Sequence, residues 1–146
     1  MSIFDSFSIN ASGLTAERYR MDVISENIAN IDTTRTEDGT PYRRKLVTFE
    51  EGKNGTFASA LAKAKGDYIG GGVRVGKTYE DTETEMKMVY DPSHPDADEN
   101  GYVTYPNVNV ITEMTDLIDA SRSYEANATA FSASKSMAVK GLEMAQ

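Results

Sequence analysis

FSINASGLTAERYRMDVISENIANI, residues 7–31, sets Phe7, Leu14, Met21 and Ile28 seven residues apart, with Ile24 and Ile31 three residues beyond Met21 and Ile28. A seven-residue apolar repeat draws a narrow stripe along one side of an α-helix, the pattern of a helix that packs against a long neighbour. The same spacing returns at the other end of the chain. Val110, Leu117, Tyr124, Phe131 and Ala138 recur every seven residues, with Met114 and Ile118 within a turn of Leu117. At 1.5 Å per residue, stretches 3–31 and 107–142 would span roughly 43 and 54 Å, more than the ~30 Å of a small compact domain. Such helices must pack on each other and on something else. Tyr19, Val23, Ile118 and Met137 lie off the main seams, so more than one partner surface is expected.

Between the helices the pattern changes. The first helix is expected to stop near Asn30, before the turn formers Asp32-Thr33-Thr34 and Asp38-Gly39-Thr40-Pro41. Tyr42–Glu50 reads as a strand, Asn54-Gly55 as a turn, and 57–65 as a short helix closed by Gly66. Val73, Val75 and Tyr79 alternate, as do Met86, Met88 and Tyr90, which predicts two strands of an antiparallel region. A proline-containing acidic loop, 91–100, leads to a short strand at Gly101–Tyr105. Pro106-Asn107 then supplies the stop and cap for the second long helix. The expected fold is α+β: long N- and C-terminal helices (1–34 and 107–146) pairing as a coiled coil, with a small antiparallel β-rich domain (35–106) between them.

Composition narrows the function. Tryptophan is absent and phenylalanine scarce, so a large compact core is not expected. No apolar run is long enough to span a membrane, and the N-terminus has neither the basic start nor the apolar stretch of a Sec signal. The absence of cysteine excludes disulfides, thiolate metal sites and thiol nucleophiles. The net charge of −8 is uneven: 35–78 carries nine Lys/Arg against five Asp/Glu, whereas 79–106 carries one lysine against eight acids. Such a chain repels phosphate, and Arg43-Arg44-Lys45 is too short for a nucleic-acid footprint.

Two motif matches point to chemistry. Gly71-Gly72-Val73-Arg74-Val75-Gly76-Lys77-Thr78 fits the phosphate-cradling G-x-x-x-x-G-K-[ST], but that loop must open a helix, and here strand alternation runs straight through it. A nucleotide hydrolase working through Lys77 therefore ranks low. Asp96-Ala97-Asp98-Glu99-Asn100-Gly101 matches the first half of an EF-hand loop. The twelfth position, which needs a bidentate glutamate, is Asn107. A calcium-binding interaction module using the 91–101 loop, with Asp91, His94, Asp96 and Asp98 as candidate ligands, is the alternative reading. His94 is the single histidine and has no nucleophile in a suitable context, so no catalytic constellation, metal or cofactor is expected.

Ser12-Gly13-Leu14-Thr15-Ala16-Glu17-Arg18 followed by Ser25-Glu26-Asn27-Ile28-Ala29-Asn30 resembles the N-terminal signature of the bacterial flagellar axial proteins, the rod and hook components. Pro41-Tyr42-Arg43-Arg44-Lys45, Asp91–Ala97, Gly101-Tyr102-Val103, Pro106–Val110 and Ala120–Asn127 extend the resemblance over nearly the whole chain; 51–69 carries none of it. The resemblance implies a structural subunit of the basal-body rod, exported by the flagellar type III apparatus without a cleaved signal. It implies helices lining a hollow shaft that crosses the periplasm and carries torque from motor to hook. Implied partners are other rod proteins and self, the adapter joining rod to membrane ring, the ring itself, and the export apparatus. The expected assembly interface comprises Phe7, Leu14, Met21, Ile24, Asn27, Ile28, Asn30 and Ile31 on the first helix. On the second it comprises Val110, Met114, Leu117, Ile118, Tyr124, Asn127, Phe131 and Ala138. Asn27, Asn30, Asn107, Asn109 and Asn127 stand at helix ends or seams, where an amide caps backbone or fixes register.

Overall fold

A computed structural model describes residues 3–52, 61, 64, 65 and 70–144. The Asn54-Gly55 turn lies outside these residues, and so does the expected 57–65 helix apart from Leu61, Ala64 and Lys65, which are helical. Among the described residues two long helices, α1 (Ile3–Ala29) and α2 (Val110–Glu143), flank four strands: β1 (Lys45–Glu51), β2 (Val73–Glu80), β3 (Lys87–Tyr90) and β4 (Tyr102–Tyr105). β1 pairs with β2 and β3 with β4, giving two separate two-stranded sheets. The α+β architecture expected from the sequence is the one observed.

Local chemistry sets the helix ends. α1 closes one residue before Asn30, whose side-chain amide donates to the Glu26 carbonyl at 2.9 Å while its oxygen accepts from the Thr33 hydroxyl at 3.1 Å. α2 starts three residues later than the expected Asn107. Its cap is Asn109, which accepts the Ile111 amide at 3.0 Å. Asn107 is occupied elsewhere: its oxygen takes the Arg44 amide at 2.8 Å, and its amide group reaches the Asp81 and Thr84 carbonyls. β1 likewise begins at Lys45 and not at Tyr42, because the Tyr42 side chain turns to Asn27.

The chain divides into two compact units. One comprises Met1–Tyr19, Thr48–Gly76 and Ala120–Gln146. Here α1 and α2 run antiparallel: the Phe7 and Phe131 rings are 5.2 Å apart, and a side chain added at Gly13 would come within 3.1 Å of the Asn127 amide. Ala16 and Ala120 are buried, so small residues set the spacing in this unit. The Ser12 hydroxyl donates to the Ile9 carbonyl at 2.7 Å and accepts the Val73 amide at 3.0 Å, tying the start of β2 to α1. Gly72 makes that contact possible. Its φ of 80° is left-handed, and a Cβ there would fall 2.3 Å from the Ser12 hydroxyl oxygen. Gly72→Ala is therefore expected to destabilise this unit by about 1–3 kcal/mol. The check is faster hydrogen exchange at the Val73 amide.

The other unit comprises Arg20–Val47 and Lys77–Asp119. Its apolar core is small: Val23, Ile24, Tyr42 and Val103. β3 and β4 are antiparallel, with Met88 opposite Thr104, Val89 opposite Val103 and Tyr90 opposite Tyr102. The pleat turns Val103 inward and leaves Met88, Tyr90 and Tyr102 exposed on the other face.

Candidate assembly interface

The second unit is organised around a buried polar hub. Asn27, 1% exposed, uses every hydrogen-bonding position of its side chain. Its oxygen accepts the Tyr42 hydroxyl at 2.9 Å and the Lys45 amide at 2.8 Å. Its amide group donates to the Lys45 carbonyl at 2.9 Å and to Glu113 Oε2 at 3.0 Å. Glu113 is fully buried, and its other oxygen takes the Arg44 Nε–H. Arg44 also reaches Asp116 at 3.1 Å. One amide thus joins α1, the start of β1 and the first turns of α2.

Burial, with the carboxylates of Glu26, Glu113 and Glu80 nearby, pushes the Tyr42 phenol up to about 12. The folded form therefore holds this proton more tightly than the unfolded chain. Stability linked to it is complete below pH 10 and is lost as pH rises through 12, by roughly 2–3 kcal/mol at most. Urea midpoints measured from pH 9 to 12 are expected to fall more steeply for the wild type than for Tyr42→Phe, which has no proton to lose there.

Of the residues expected at the assembly interface, Ile24 and Asn27 are buried within the single chain. Phe7, Leu14, Met21, Ile28, Asn30, Ile31, Leu117, Tyr124, Asn127, Phe131 and Ala138 are half-buried. Val110, Met114 and Ile118 are exposed, as is the neighbouring Ile111. Ile111, Met114 and Ile118, at 78, 54 and 51% exposure, are spaced three and four apart and so share one side of α2. Of the off-seam residues, Val23 is buried, whereas Tyr19 and Met137 are exposed. Glu113, Arg44 and Tyr42 carry the hub, and the heptad pattern did not single them out.

The two motif matches lose their chemistry in the fold. Gly76, Lys77 and Thr78 lie inside β2, an extended strand, with no helix opening at Thr78 to complete a phosphate cradle. In the acidic loop the carboxylates serve the backbone. Asp91 accepts the Ser93 hydroxyl and amide, which holds its carboxyl below the usual range. Asp98 accepts the Asn100 and Tyr102 amides, and Asp96 takes the Thr34 hydroxyl at 2.8 Å. The His94 ring nitrogen accepts the Asp96 amide. Among the described residues no three acidic or histidine side chains are grouped to hold a metal ion. No described helix is long and apolar enough to cross a membrane.

Long terminal helices are held to a small β region by a saturated polar hub and carry exposed apolar side chains, an arrangement with the features of a structural subunit. Comparison with known proteins agrees. Residues 7–35 match the family described as flagella basal body rod protein, and 99–144 match that described as flagellar basal body rod FlgEFG protein C-terminal. The chain is 47% identical to the flagellar basal-body rod protein FlgC of Bacillus subtilis, over 99% of both chains. It is 45% identical to that of Borreliella burgdorferi over 100% of this chain and 99% of the relative, and 40% identical to that of Salmonella typhimurium over the whole of both. The chain belongs to the FlgC family of flagellar basal-body rod proteins. It is a structural component of the flagellar basal body and not an enzyme.

Proposed function

We propose that the chain polymerises through its terminal helices, 1–34 and 107–146, into the hollow shaft that carries torque from motor to hook, with 35–106 forming an outer β-rich part. The observation that carries this reading is the exposed row Ile111, Met114 and Ile118 on a helix whose other side is held by the hub. Three large apolar side chains facing water on one helical side are stabilised by a partner surface. Contact between non-identical surfaces repeats into an open helical array, unlike a closed dimer. The residues committed to this interface are those of the two seams, with Val110, Met114 and Ile118 available to neighbouring subunits and Phe7, Leu14 and Phe131 helping to pair the helices of one chain. Its neighbours in this reading are further copies, other rod proteins, and the adapter and membrane ring at the rod base; the flagellar export apparatus delivers it. The test is a density map of isolated basal bodies at side-chain resolution. The proposal requires this chain in the rod wall, with Met114 and Ile118 covered by a neighbour. Finding those side chains facing solvent in the assembled rod would overturn it.

A further inference from the structure

The outer face of the β3–β4 pair combines features that the helix contacts do not explain. Register places Met88, Tyr90, Tyr102 and Thr104 on one side of the sheet, opposite the side that buries Val103. Met88, Tyr90 and Tyr102 are 69, 63 and 44% exposed. The two tyrosine rings stand 5.2 Å apart at 65°. Residues 79–106 around them carry eight carboxylates and one lysine. Asp91 follows Tyr90 directly, and Asp98 and Glu99 lie just before Tyr102. Glu83, Glu85 and Glu99 have no ion-pair partner among the described residues.

Aromatic faces within a negative field attract cations. A guanidinium or ammonium gains from the ring quadrupole and from the surrounding carboxylates, while the methionine takes up the aliphatic stem. The same field repels nucleic acid and anionic lipid headgroups. Rings inclined at 65° offer no flat platform for stacking a sugar. Part of the complementary charge in the basic stretch of this chain's own middle is already paired. Arg35 pairs with Asp96, Arg44 with Glu113 and Asp116, Lys45 with Glu26, and Arg74 with Glu50. We propose that the Met88–Tyr90–Tyr102 face is a docking surface for an arginine- or lysine-bearing segment of a different protein. It uses none of the helix residues assigned to the shaft, so failure of either reading leaves the other standing.

The test is a titration of the full chain, carrying ¹³C-methyl methionine and ring-labelled tyrosine, with a short peptide of alternating arginine and alanine. A glutamate–alanine peptide and a chito-oligosaccharide serve as comparisons. The expected result is a saturable shift of the Met88, Tyr90 and Tyr102 signals with the arginine peptide alone. Affinity should fall about tenfold or more in Tyr90→Ala with Tyr102→Ala, and also in Glu99→Lys. The Val103 amide signal, inside the sheet, reports that each variant keeps its fold. Absence of a saturable shift with the arginine peptide overturns the proposal. So does an equal response to the sugar, which would make the face a carbohydrate platform. Shifts that follow protein concentration without any peptide would assign the face to a second copy and overturn it too.

Discussion

Glu113→Ala is expected to lower the stability of the unit formed by 20–47 and 77–119 by about 3–5 kcal/mol, a large part of what a domain of this size possesses. Glu113 is the most buried charge among the described residues, and its two oxygens serve different partners, Arg44 and Asn27. Removing the carboxylate leaves the Arg44 Nε–H and one buried Asn27 amide hydrogen without their acceptor. Arg44 keeps Asp116, which is partly exposed and compensates little. Glu113→Gln keeps one acceptor and should lose less. Arg44→Leu combined with Glu113→Leu should lose less than the sum of the single changes, since no charge is then stranded. Urea unfolding, with hydrogen exchange at the Lys45 amide that Asn27 holds, would measure each. An unchanged midpoint for Glu113→Ala would mean that the hub contributes no stability.

The hub also shows how far the sequence can be read. Both long helices were legible because their apolar repeat is local and needs only a few turns to declare itself. α1 ends within one residue of expectation because the turn formers that follow Asn30 are local as well. The strands were legible from alternation, and the extended β2 disposes of the Lys77 phosphate motif as the alternation indicated. What could not be read is pairing between distant segments. Asn27 and Glu113 are 86 positions apart and Arg44 and Glu113 are 69 apart. Nothing in a period of seven or two records such partners. A lone charge such as Glu113 reads as solvated, and Arg44 within Arg43-Arg44-Lys45 reads as part of a surface cluster. The one local hint is its position: Glu113 directly precedes Met114, yet Met114 is exposed and Glu113 buried, so the polar residue takes the inward side of α2. The Asn107 cap failed for a related reason. An asparagine ahead of a helix is a cap only when no other backbone amide claims its oxygen first, and the Arg44 amide, just before β1, does.

That inversion on α2 gives assembly its most decisive test. Because Met114 and Ile118 are about half exposed in the single chain, Met114→Glu with Ile118→Glu should change the stability of the free protein by less than about 1 kcal/mol, and glutamate is a good helix former at both sites. In the assembled rod the same two carboxylates would be forced into an apolar contact between subunits, at several kcal/mol for each. In the proposed assembly the contact repeats from subunit to subunit, so the loss multiplies along the structure. Cells whose only copy carries both substitutions should make the protein at normal levels, build no complete rod and fail to swim. Glu125→Lys, on an exposed part of the same helix, should leave swimming intact and so separate a specific contact from a general effect of charge on α2. Normal motility in the double variant would place this side of α2 against solvent in the rod, and the assembly face would then have to be sought among the half-buried residues near the chain's two ends, from Phe7 to Met21 and from Tyr124 to Ala138.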